Sequence, residues 1–497
     1  MRLLSRPSRS TRPYQPRDFL GLLHCAPFYW MVVFLVVEAA LAACSMALII
    51  QAGQDVAEAR FLVGDFIWIV LAQSASFGVG ATSWVFAEQA GFGALGRYML
   101  RFARDNRAET ALLTDSHQRE TVEPFLTNEA FHLIFELIYE LEADLKLAFN
   151  LTFNAGVLGY AIDAGLPLVY ALVFALLLGL QWLVRQPVAR TYLQHQRATN
   201  RMTAHTYTAW DNICSGNRYN FRLWHAGFKD RLRGALAAQI RAILAREGLA
   251  AVSGIIALGL VFSYLAWVAA RHVGDVGLLM ALAATLPRQI DMASNVHGLA
   301  SGWNDVLAVW TRMGGACSAM LPEVDPGFEA RIGFADLQLS RDGQSLPCTR
   351  VADLAEQLRS LPTGRVRVRG GNGAGKSTLL AALKVRLGAR AYYWPTGDKL
   401  AFAFAQVGGV ADSDEDDDAQ DEAEALAAAQ ARRAGYSSGE RQLKVLREIT
   451  QHTRAAIYLL DEWDANLDSA NRAEAERLVQ ALAERALVVD ISHRDRV

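Results

Sequence analysis

Residues 370–377 read Gly370-Gly371-Asn372-Gly373-Ala374-Gly375-Lys376-Ser377, directly after a short run of alternating arginine and valine at 365–369. The stretch matches G-x-x-x-x-G-K-[ST], a loop that joins a strand to a helix and binds phosphate. Glycines let successive backbone N–H groups turn inward towards phosphate oxygens. We expect Lys376 to reach the β- and γ-phosphates of ATP and Ser377 to bind Mg²⁺, with Thr378 completing the nucleotide-binding residues. The alternative is a glycine-rich turn that binds no nucleotide.

Length and composition limit the number of domains and the classes of function that the chain can have. The 497 residues are enough for two or three domains. The net charge of −2 indicates no nucleic-acid-binding surface. The cysteines have no paired spacing, which argues against a disulfide framework and against a cysteine zinc site.

The first 300 residues are rich in apolar segments. Six of them are long enough, or nearly so, to cross a bilayer, at about 27–50, 62–87, 147–163, 166–184, 248–270 and 276–300. Several arginines precede the first segment, as in a signal peptide, but that segment is too long for a signal h-region. The third and fourth segments could instead form one buried hairpin, although their apolarity favours a transmembrane one. We therefore predict an all-α domain of six transmembrane helices over 27–320, after a basic cytoplasmic segment at 1–26.

The distribution of basic residues predicts the orientation in the membrane. Lys and Arg concentrate before the first segment and in the long connections 88–146 and 185–247, whereas the short connections carry almost none. Because cytoplasmic loops carry an excess of Lys and Arg, both chain ends are expected in the cytoplasm. The two long connections have the pattern of helices that continue beyond the membrane.

A linker rich in proline and glycine near 320–330 separates the apolar part from a soluble α/β domain predicted over 328–497. Residues 332–339 alternate like a strand. The run 412–424 is almost wholly acidic and is expected to be a solvated insert, with a partner-docking role as the alternative.

An apolar run at 457–460 ends in Asp461 and Glu462. In phosphate-loop ATPases such a pair holds Mg²⁺ through Asp461 and polarises the attacking water through Glu462. A strand parallel to the phosphate-loop strand would bring both carboxylates beside the nucleotide.

Between these two motifs lies Tyr436-Ser437-Ser438-Gly439-Glu440-Arg441-Gln442, and the whole pattern resembles the nucleotide-binding domain of ABC transporters. The resemblance implies that Ser437, Ser438, Gly439 and Glu440 form the signature that contacts the nucleotide of a second subunit. It implies that Gln406 senses Mg²⁺ and that His493 contacts the γ-phosphate, and it identifies residues 465–468 as the D-loop.

Six spans followed by one such domain resemble a half-transporter of the exporter type, with coupling helices at about 117–127 and 208–217. Asp461-Glu462-Trp463 together with Gly371-Asn372-Gly373 is more weakly similar to the subgroup that exports cyclic peptides and peptide siderophores.

The sequence also departs from the family pattern. Ser438 replaces a signature glycine and Tyr436 replaces a leucine. The stretch from Gln406 to Tyr436 is short, so the helical subdomain is expected to be reduced. No aromatic residue stands where adenine would stack, so that Arg341 or another residue would have to serve.

The resemblance implies an ATP-driven exporter that works as a dimer, most simply a homodimer with a heterodimer as the alternative, in the inner membrane of a bacterium. Its expected cofactors are ATP and Mg²⁺, and its expected substrate is a peptide or an amphipathic small molecule. Importers built on the same fold, and membrane ATPases that regulate a partner without transport, remain alternatives.

Ionisable residues at membrane depth either form ion pairs with one another, as Arg288 and Asp291 could, or line a translocation path. The residues of such a path would be Glu38, Gln73, Asn150, Asn154, Arg288 and Asp291.

Overall fold

The computed structural model describes residues 12–58, 60, 63–341, 343–396, 400–403, 438–465 and 467–492. They form two compact units. The helical unit comprises residues 14–99 and 127–317, and the sheet unit comprises residues 12–13, 100–126 and the described residues from 318 onward.

Long helices build the helical unit. A short helix α1 (Pro16–Leu20) precedes α2 (Ala26–Ala57), α3 (Val63–Asn106), α5 (Ala130–Ala161), α6 (Leu166–Thr206), α7 (Ala209–Cys214), α8 (Arg218–Arg271) and α9 (Val276–Met320). The predicted spans 27–50, 166–184, 248–270 and 276–300 each lie within one of these helices, and those at 62–87 and 147–163 each overlap one. Helices α3, α6 and α8 continue far beyond the predicted segments, as predicted for the long connections. The tight turn between α5 and α6 is held by Asp163, whose carboxylate accepts hydrogen bonds from the Gly165 amide and the Tyr264 hydroxyl.

In the described part of the chain, four helices are long and apolar enough to cross a bilayer, namely α2, α3, α6 and α8. The other two predicted spans, at 147–163 and 276–300, lie in α5 and α9. The predicted segments in these two helices contain polar residues, among them Asn150 and Asn154 in α5 and Arg288 and Asp291 in α9. By length and composition, then, four of the six helices that carry predicted spans could cross a membrane.

The sheet unit contains a mixed six-stranded sheet of β1 (Leu337–Arg341), β2 (Gln344–Ser345), β3 (Gly364–Gly370), β4 (Ala391–Trp394), β5 (Ile457–Asp461) and β6 (Leu487–Ile491). The strand order is β2-β1-β3-β6-β5-β4, with β3, β6, β5 and β4 parallel and β1 antiparallel to both of its neighbours. Strand β6 lies between β3 and β5, so three parallel strands end side by side.

Side chains alternate between two hydrophobic cores, one on each face of the sheet. Leu459 and Val489 belong to the first core with helices α10 (Val351–Ser360) and α11 (Lys376–Leu387). Leu460 and Val488 belong to the second core with helices α12 (Ser438–His452) and α13 (Ser469–Arg485). Strands buried on both faces read as continuous apolar runs, which is the pattern seen before Asp461 and around Val489.

Residues from the long connection predicted at 88–146 belong to the sheet unit. A 3₁₀ helix (Thr110–Thr114) packs on α11, and its Ala111 is part of the first core. Helix α4 (Ser116–Pro124) follows, with Asp115 as its N-cap, and it overlaps the coupling helix predicted at 117–127.

The prediction of a strand over 332–339 is wrong in its first half, because β1 begins only at Leu337. Residues 334–336 form a 3₁₀ turn closed by the Asp336 amide, which donates to the Gly333 carbonyl oxygen. The Gly333 amide in turn donates to the Ala374 carbonyl oxygen, so this segment supports the loop at 370–375 instead of extending the sheet.

Candidate functional site

The glycine-rich loop runs from the end of β3 to the start of α11, as the sequence predicts. Gly370 is the last residue of β3, and Lys376, Ser377 and Thr378 form the first turn of α11. Gly373 and Gly375 have φ angles of +83° and +84°, a region that favours glycine because it has no Cβ. Two left-handed residues so close together make the backbone concave, and successive N–H groups of such a loop can surround an anion.

Packing against the preceding segment leaves no room for a side chain at two loop positions, Gly370 and Gly375. A Cβ on Gly375 would lie 2.5 Å from the Arg331 carbonyl oxygen and 2.8 Å from the Ile332 Cα. A Cβ on Gly370 would lie 2.8 Å from the Asp336 carbonyl oxygen. The loop shape therefore depends on these glycines for space as well as for φ.

Lys376 folds back over the loop. Its Nζ donates hydrogen bonds to the carbonyl oxygens of Gly370 and Gly371, each over 3.0 Å. The ammonium group is thus held above the loop by uncharged acceptors, where a phosphate oxygen could replace them. The N-terminus of α11 adds the positive end of its dipole to the same place.

Asp461 at the end of β5 meets Ser377 at the start of α11. The Ser377 side chain lies beside the Asp461 carboxylate, and Oδ1 of this buried residue has no hydrogen-bond partner. Burial raises the pKa of Asp461 to about 6, and the charge of Glu462 acts in the same direction, whereas the neighbouring Ser377 hydroxyl opposes them. A divalent cation at this point would satisfy the free oxygen and favour the ionised carboxylate.

The residues present fit Mg²⁺. No group of three or more His, Cys, Asp or Glu in the described part of the chain could bind a metal ion without other ligands. Mg²⁺ is usually bound by one or two carboxylates together with substrate phosphates and water, so that Asp461 and Ser377 beside a phosphate loop suffice. Ser377 and Asp461 would hold the ion, and the ion would neutralise charge on the phosphates.

Glu462, the predicted base, lies in a strained turn directly after β5. Its φ is +47°, and it alone among the described non-glycine residues has a positive φ. Such a conformation costs about 1–3 kcal/mol, and this kind of strain is concentrated at functional sites. The Glu462 carbonyl oxygen accepts hydrogen bonds from the Ala465 amide over 3.0 Å and from Gln442 Nε2 over 3.2 Å.

The predicted signature is only partly described. Helix α12 begins at Ser438, Gly439 is buried and Glu440 is exposed in its first turn. Gln442 in the same helix reaches the Glu462 carbonyl oxygen, so the signature helix is tied to the strained turn within one chain.

Several residues around the turn were missed in the sequence. Arg365 on β3 makes a two-pronged ion pair with the buried carboxylate of Asp490 on β6, over 2.9 and 2.8 Å. Trp463 Nε1 donates to the same carboxylate over 3.0 Å, and Thr396 hydrogen-bonds to Asp461. The one signal in the sequence was the tryptophan that directly follows the two acidic residues, since a buried indole N–H usually requires an acceptor.

Arg341, considered for adenine binding, lies at the end of β1 that is farther from the glycine-rich loop. The register pairs Leu337 with Gly370 and Arg341 with Val366. Arg341 thus lies about 13 Å along β1 from the residue beside the loop, at roughly 3.3 Å per residue. Its Nη2 donates to the Thr363 carbonyl oxygen over 2.9 Å.

The polar residues predicted to line a translocation path form two groups in the helical unit. Glu38 makes an ion pair with Lys146 over 2.8 Å, and its Oε2 is buried without a hydrogen-bond partner. Arg288 Nη2 lies 3.5 Å from Asn150 Oδ1, to which Asn154 Nδ2 donates over 2.8 Å. Arg288 is thus connected to the neighbouring helix α5 as well as to the charge of Asp291, and Gln73 is half-buried on α3.

A cleft of about 690 Å³ opens between α2 and α5 in the same unit. Its wall is mainly apolar, with Ile50, Phe153 and Val157, and Gln51 and Gln54 supply polar groups. Gly156 on the wall faces open space, because an added Cβ would meet no atom within 4 Å.

Some predicted site residues lie outside the described residues, namely Gln406, Ser437 and His493, and the acidic run at 412–424 and Asn466 do so as well. The described residues bring together the phosphate loop, Lys376, Ser377, Asp461 and Glu462. Neither a scan of protein-family models nor a search of curated proteins finds a match to this chain.

Proposed function

We propose that this protein is an ATP-driven transporter of the ABC half-transporter type that exports a peptide or peptide-like compound. The observation that carries the proposal is the contact between Ser377 and Asp461 beneath the left-handed glycine loop. This contact brings the loop next to a buried carboxylate, one oxygen of which has no hydrogen-bond partner. The same chain carries long apolar helices, and an ATPase in a membrane protein is suited to active transport.

In this proposal each residue has a separate task in ATP hydrolysis. The loop amides and Lys376 bind the phosphates, and Ser377 and Asp461 hold Mg²⁺. Glu462 polarises the attacking water. Gln406 and His493 would report the presence of the γ-phosphate, and Ser437 to Glu440 would contact the nucleotide of a second subunit.

The six-span architecture of the membrane domain is part of the proposal. α2, α3, α6 and α8 support it by length and composition. α5 and α9 would be the remaining two spans, with their polar residues turned away from lipid, as is usual for ionisable groups at membrane depth. The basic connections would lie in the cytoplasm of a bacterium, on the inner face of its inner membrane.

A dimer is proposed because one chain supplies one phosphate loop and one signature. The exposed tip between α6 and α8 supports it. Tyr207, Trp210 and Tyr219 at this tip are 82%, 77% and 73% exposed, which is unusual for aromatic residues without a partner surface. Helix α7 at the tip overlaps the coupling helix predicted at 208–217, and the sheet unit of a second copy would cover it.

An amphipathic substrate would suit the cleft between α2 and α5. Apolar side chains would contact its apolar part, and Gln51, Gln54 and Thr152 would bind amide groups. The polar chain of Arg288, Asn150 and Asn154 would offer charged and amide groups along the path.

The test is ATPase activity of the full chain in lipid nanodiscs. Wild type should hydrolyse Mg-ATP in a vanadate-sensitive manner, and Lys376→Ala and Glu462→Gln should lose at least 99% of this activity, a loss of about 2.7 kcal/mol of transition-state stabilisation. Glu474→Gln is the matched control, since it removes an exposed carboxylate of the same unit that pairs with Arg447. Normal turnover in Glu462→Gln would contradict the assignment of the base.

Direction and substrate require a second measurement. ATPase activity should rise when amphipathic peptides are added, and inside-out vesicles should accumulate the stimulating peptide if the protein exports it. Accumulation only in right-side-out vesicles would indicate an importer. Wild-type protein that hydrolyses ATP only when a partner protein is added, and never responds to peptides, would favour the regulatory ATPase.

A further inference from the structure

The strained turn at Glu462 is fastened to the neighbouring strand on its C-terminal side. Trp463 is 2% exposed, and its indole N–H donates to Asp490 Oδ2 over 3.0 Å. Asp464 is also buried, and its Oδ2 accepts a hydrogen bond from the Ser492 hydroxyl over 2.6 Å. Two consecutive residues of the turn are thus bonded to two residues of the β6 end.

The acceptor for the indole is itself fixed by a third strand. Asp490 is 1% exposed, and both of its oxygens accept hydrogen bonds from Arg365 on β3. Arg365 also pairs with Glu476 on α13, and its guanidinium lies 5.6 Å from the Trp463 ring centroid. A buried carboxylate needs a paired cation, and here the cation also lies over the aromatic ring that donates to the carboxylate.

We propose that Trp463, Asp490 and Arg365 are positioning residues that hold the Glu462 carboxylate in its left-handed turn for ATP hydrolysis. The three residues form a clamp from β3 through β6 to the turn after β5. The inference rests on the proposed function, because it assigns the clamp to the base of that reaction. No member of the clamp needs to touch nucleotide, and each acts through the backbone of Glu462.

The clamp also explains why the strain does not relax. On its N-terminal side Glu462 follows the last residue of β5, which pairs with Ile491 on β6. On its C-terminal side Trp463 and Asp464 are bonded to the residues on either side of Ile491. Glu462 is therefore the one residue between two attachments to the same strand, and its carbonyl oxygen is held by Ala465 and Gln442.

Trp463→Phe is the decisive variant, because it keeps a buried aromatic ring and removes the N–H donor. The matched control is Tyr458→Phe. Tyr458 is equally buried and lies on β5 in the same core. Its hydroxyl donates to the Thr453 carbonyl oxygen over 2.9 Å and accepts from the Thr453 hydroxyl and the Ala455 amide, each over 3.2 Å. The variant removes these hydrogen bonds, none of which involves the turn. Ser492→Ala breaks the second attachment independently.

Two readouts are measured on the full chain in nanodiscs. In steady-state kinetics, Trp463→Phe should lower kcat at least tenfold and leave the KM for ATP within twofold, since a small misplacement of a reacting group affects the chemical step. In hydrogen–deuterium exchange without nucleotide, the peptide that contains the Ala465 amide should exchange at least fivefold faster. Ser492→Ala should change both quantities in the same direction, and Tyr458→Phe should change neither.

The outcomes separate this inference from the proposed function. Faster exchange at Ala465 in Trp463→Phe, in a protein whose wild type never hydrolyses ATP, would support the clamp and contradict the ATPase. Unchanged exchange and unchanged kcat in Trp463→Phe would overturn the clamp. Equal losses of kcat in Trp463→Phe and Tyr458→Phe would also overturn it, because they would show a general effect of core packing.

Discussion

Replacing Glu462 by glycine should make the protein more stable than replacing it by alanine. Both variants lack the carboxylate, so both should be inactive, and they differ only in how well they tolerate a φ of +47°. A left-handed conformation costs a residue with a Cβ about 1–2 kcal/mol, and glycine avoids this cost. Glycine loses about 0.5–1 kcal/mol more backbone entropy on folding. We therefore expect Glu462→Gly to be more stable than Glu462→Ala by roughly 0.5–1 kcal/mol, as these two terms combine.

Thermal unfolding of the full chain in nanodiscs measures this difference. For a domain of 150–250 residues, 1 kcal/mol shifts the unfolding temperature by about 2–4 °C, so a shift of roughly 1–4 °C is expected. Glu474 provides the control, because it is exposed in the interior of α13. There alanine should be more stable than glycine by about 1 kcal/mol, so the order of the two variants should reverse.

The result that would refute the reasoning is an unfolding temperature of Glu462→Ala equal to or above that of Glu462→Gly. It would mean that the turn is not left-handed in the folded protein. The strain at Glu462, and with it the reason for a clamp, would then not exist.

Three further changes should have separate and measurable effects. Arg365→Met leaves the fully buried carboxylate of Asp490 without its cation and should cost about 3–5 kcal/mol, lowering the unfolding temperature by roughly 6–20 °C. Arg365→Met with Asp490→Asn should recover most of that loss, and no recovery would show that the two side chains do not interact. Gly375→Ala should weaken the binding of a fluorescent ATP analogue at least tenfold, because the new Cβ would lie 2.5 Å from a backbone oxygen; unaltered binding would contradict the loop geometry. Gly156→Phe should fill the cleft between α2 and α5 and abolish peptide stimulation while basal ATPase activity persists, and stimulation that survives would place the substrate elsewhere.

The sequence alone predicts those features that local chemistry determines. A glycine-rich loop between an alternating strand and a helix, and an apolar strand that ends in two acids, have few other structures available to them. Lys376, Ser377, Asp461 and Glu462 accordingly lie together in the structure. The long helices follow from apolar composition in the same way.

Contacts between distant residues could not be predicted in this way. The pattern at 365–369 shows that arginine and valine lie on opposite faces of a strand, but it does not name the partner of Arg365, which is 125 residues away. The strand over 332–339 was predicted too long because its alternation continues through Gly333. That residue instead turns to bond the loop at Ala374, a tertiary contact that local pattern does not record.

The position of the 3₁₀ helix at 110–114 has the same explanation. Ala111 is a small residue in a polar stretch, and nothing in its local sequence marks it as part of a core. It is buried because it packs against an apolar face of α11. That face is positioned only once α11 is packed on the sheet. The coupling helix predicted from resemblance at 117–127 therefore begins close to, but after, the segment that packs on α11.

The free energies at the Glu462 turn show why a tryptophan and a buried ion pair occur together there. The left-handed turn costs about 1–3 kcal/mol. A neutral hydrogen bond contributes about 0.5–1.5 kcal/mol, which offsets only the lower part of that cost, whereas a hydrogen bond to a charged acceptor contributes about 1.5–3 kcal/mol. Asp490 is such an acceptor; it is 1% exposed, and a buried carboxylate needs a paired cation. Arg365 supplies that cation, so the strength of the indole hydrogen bond depends on a residue of β3, a strand that is not adjacent to β5.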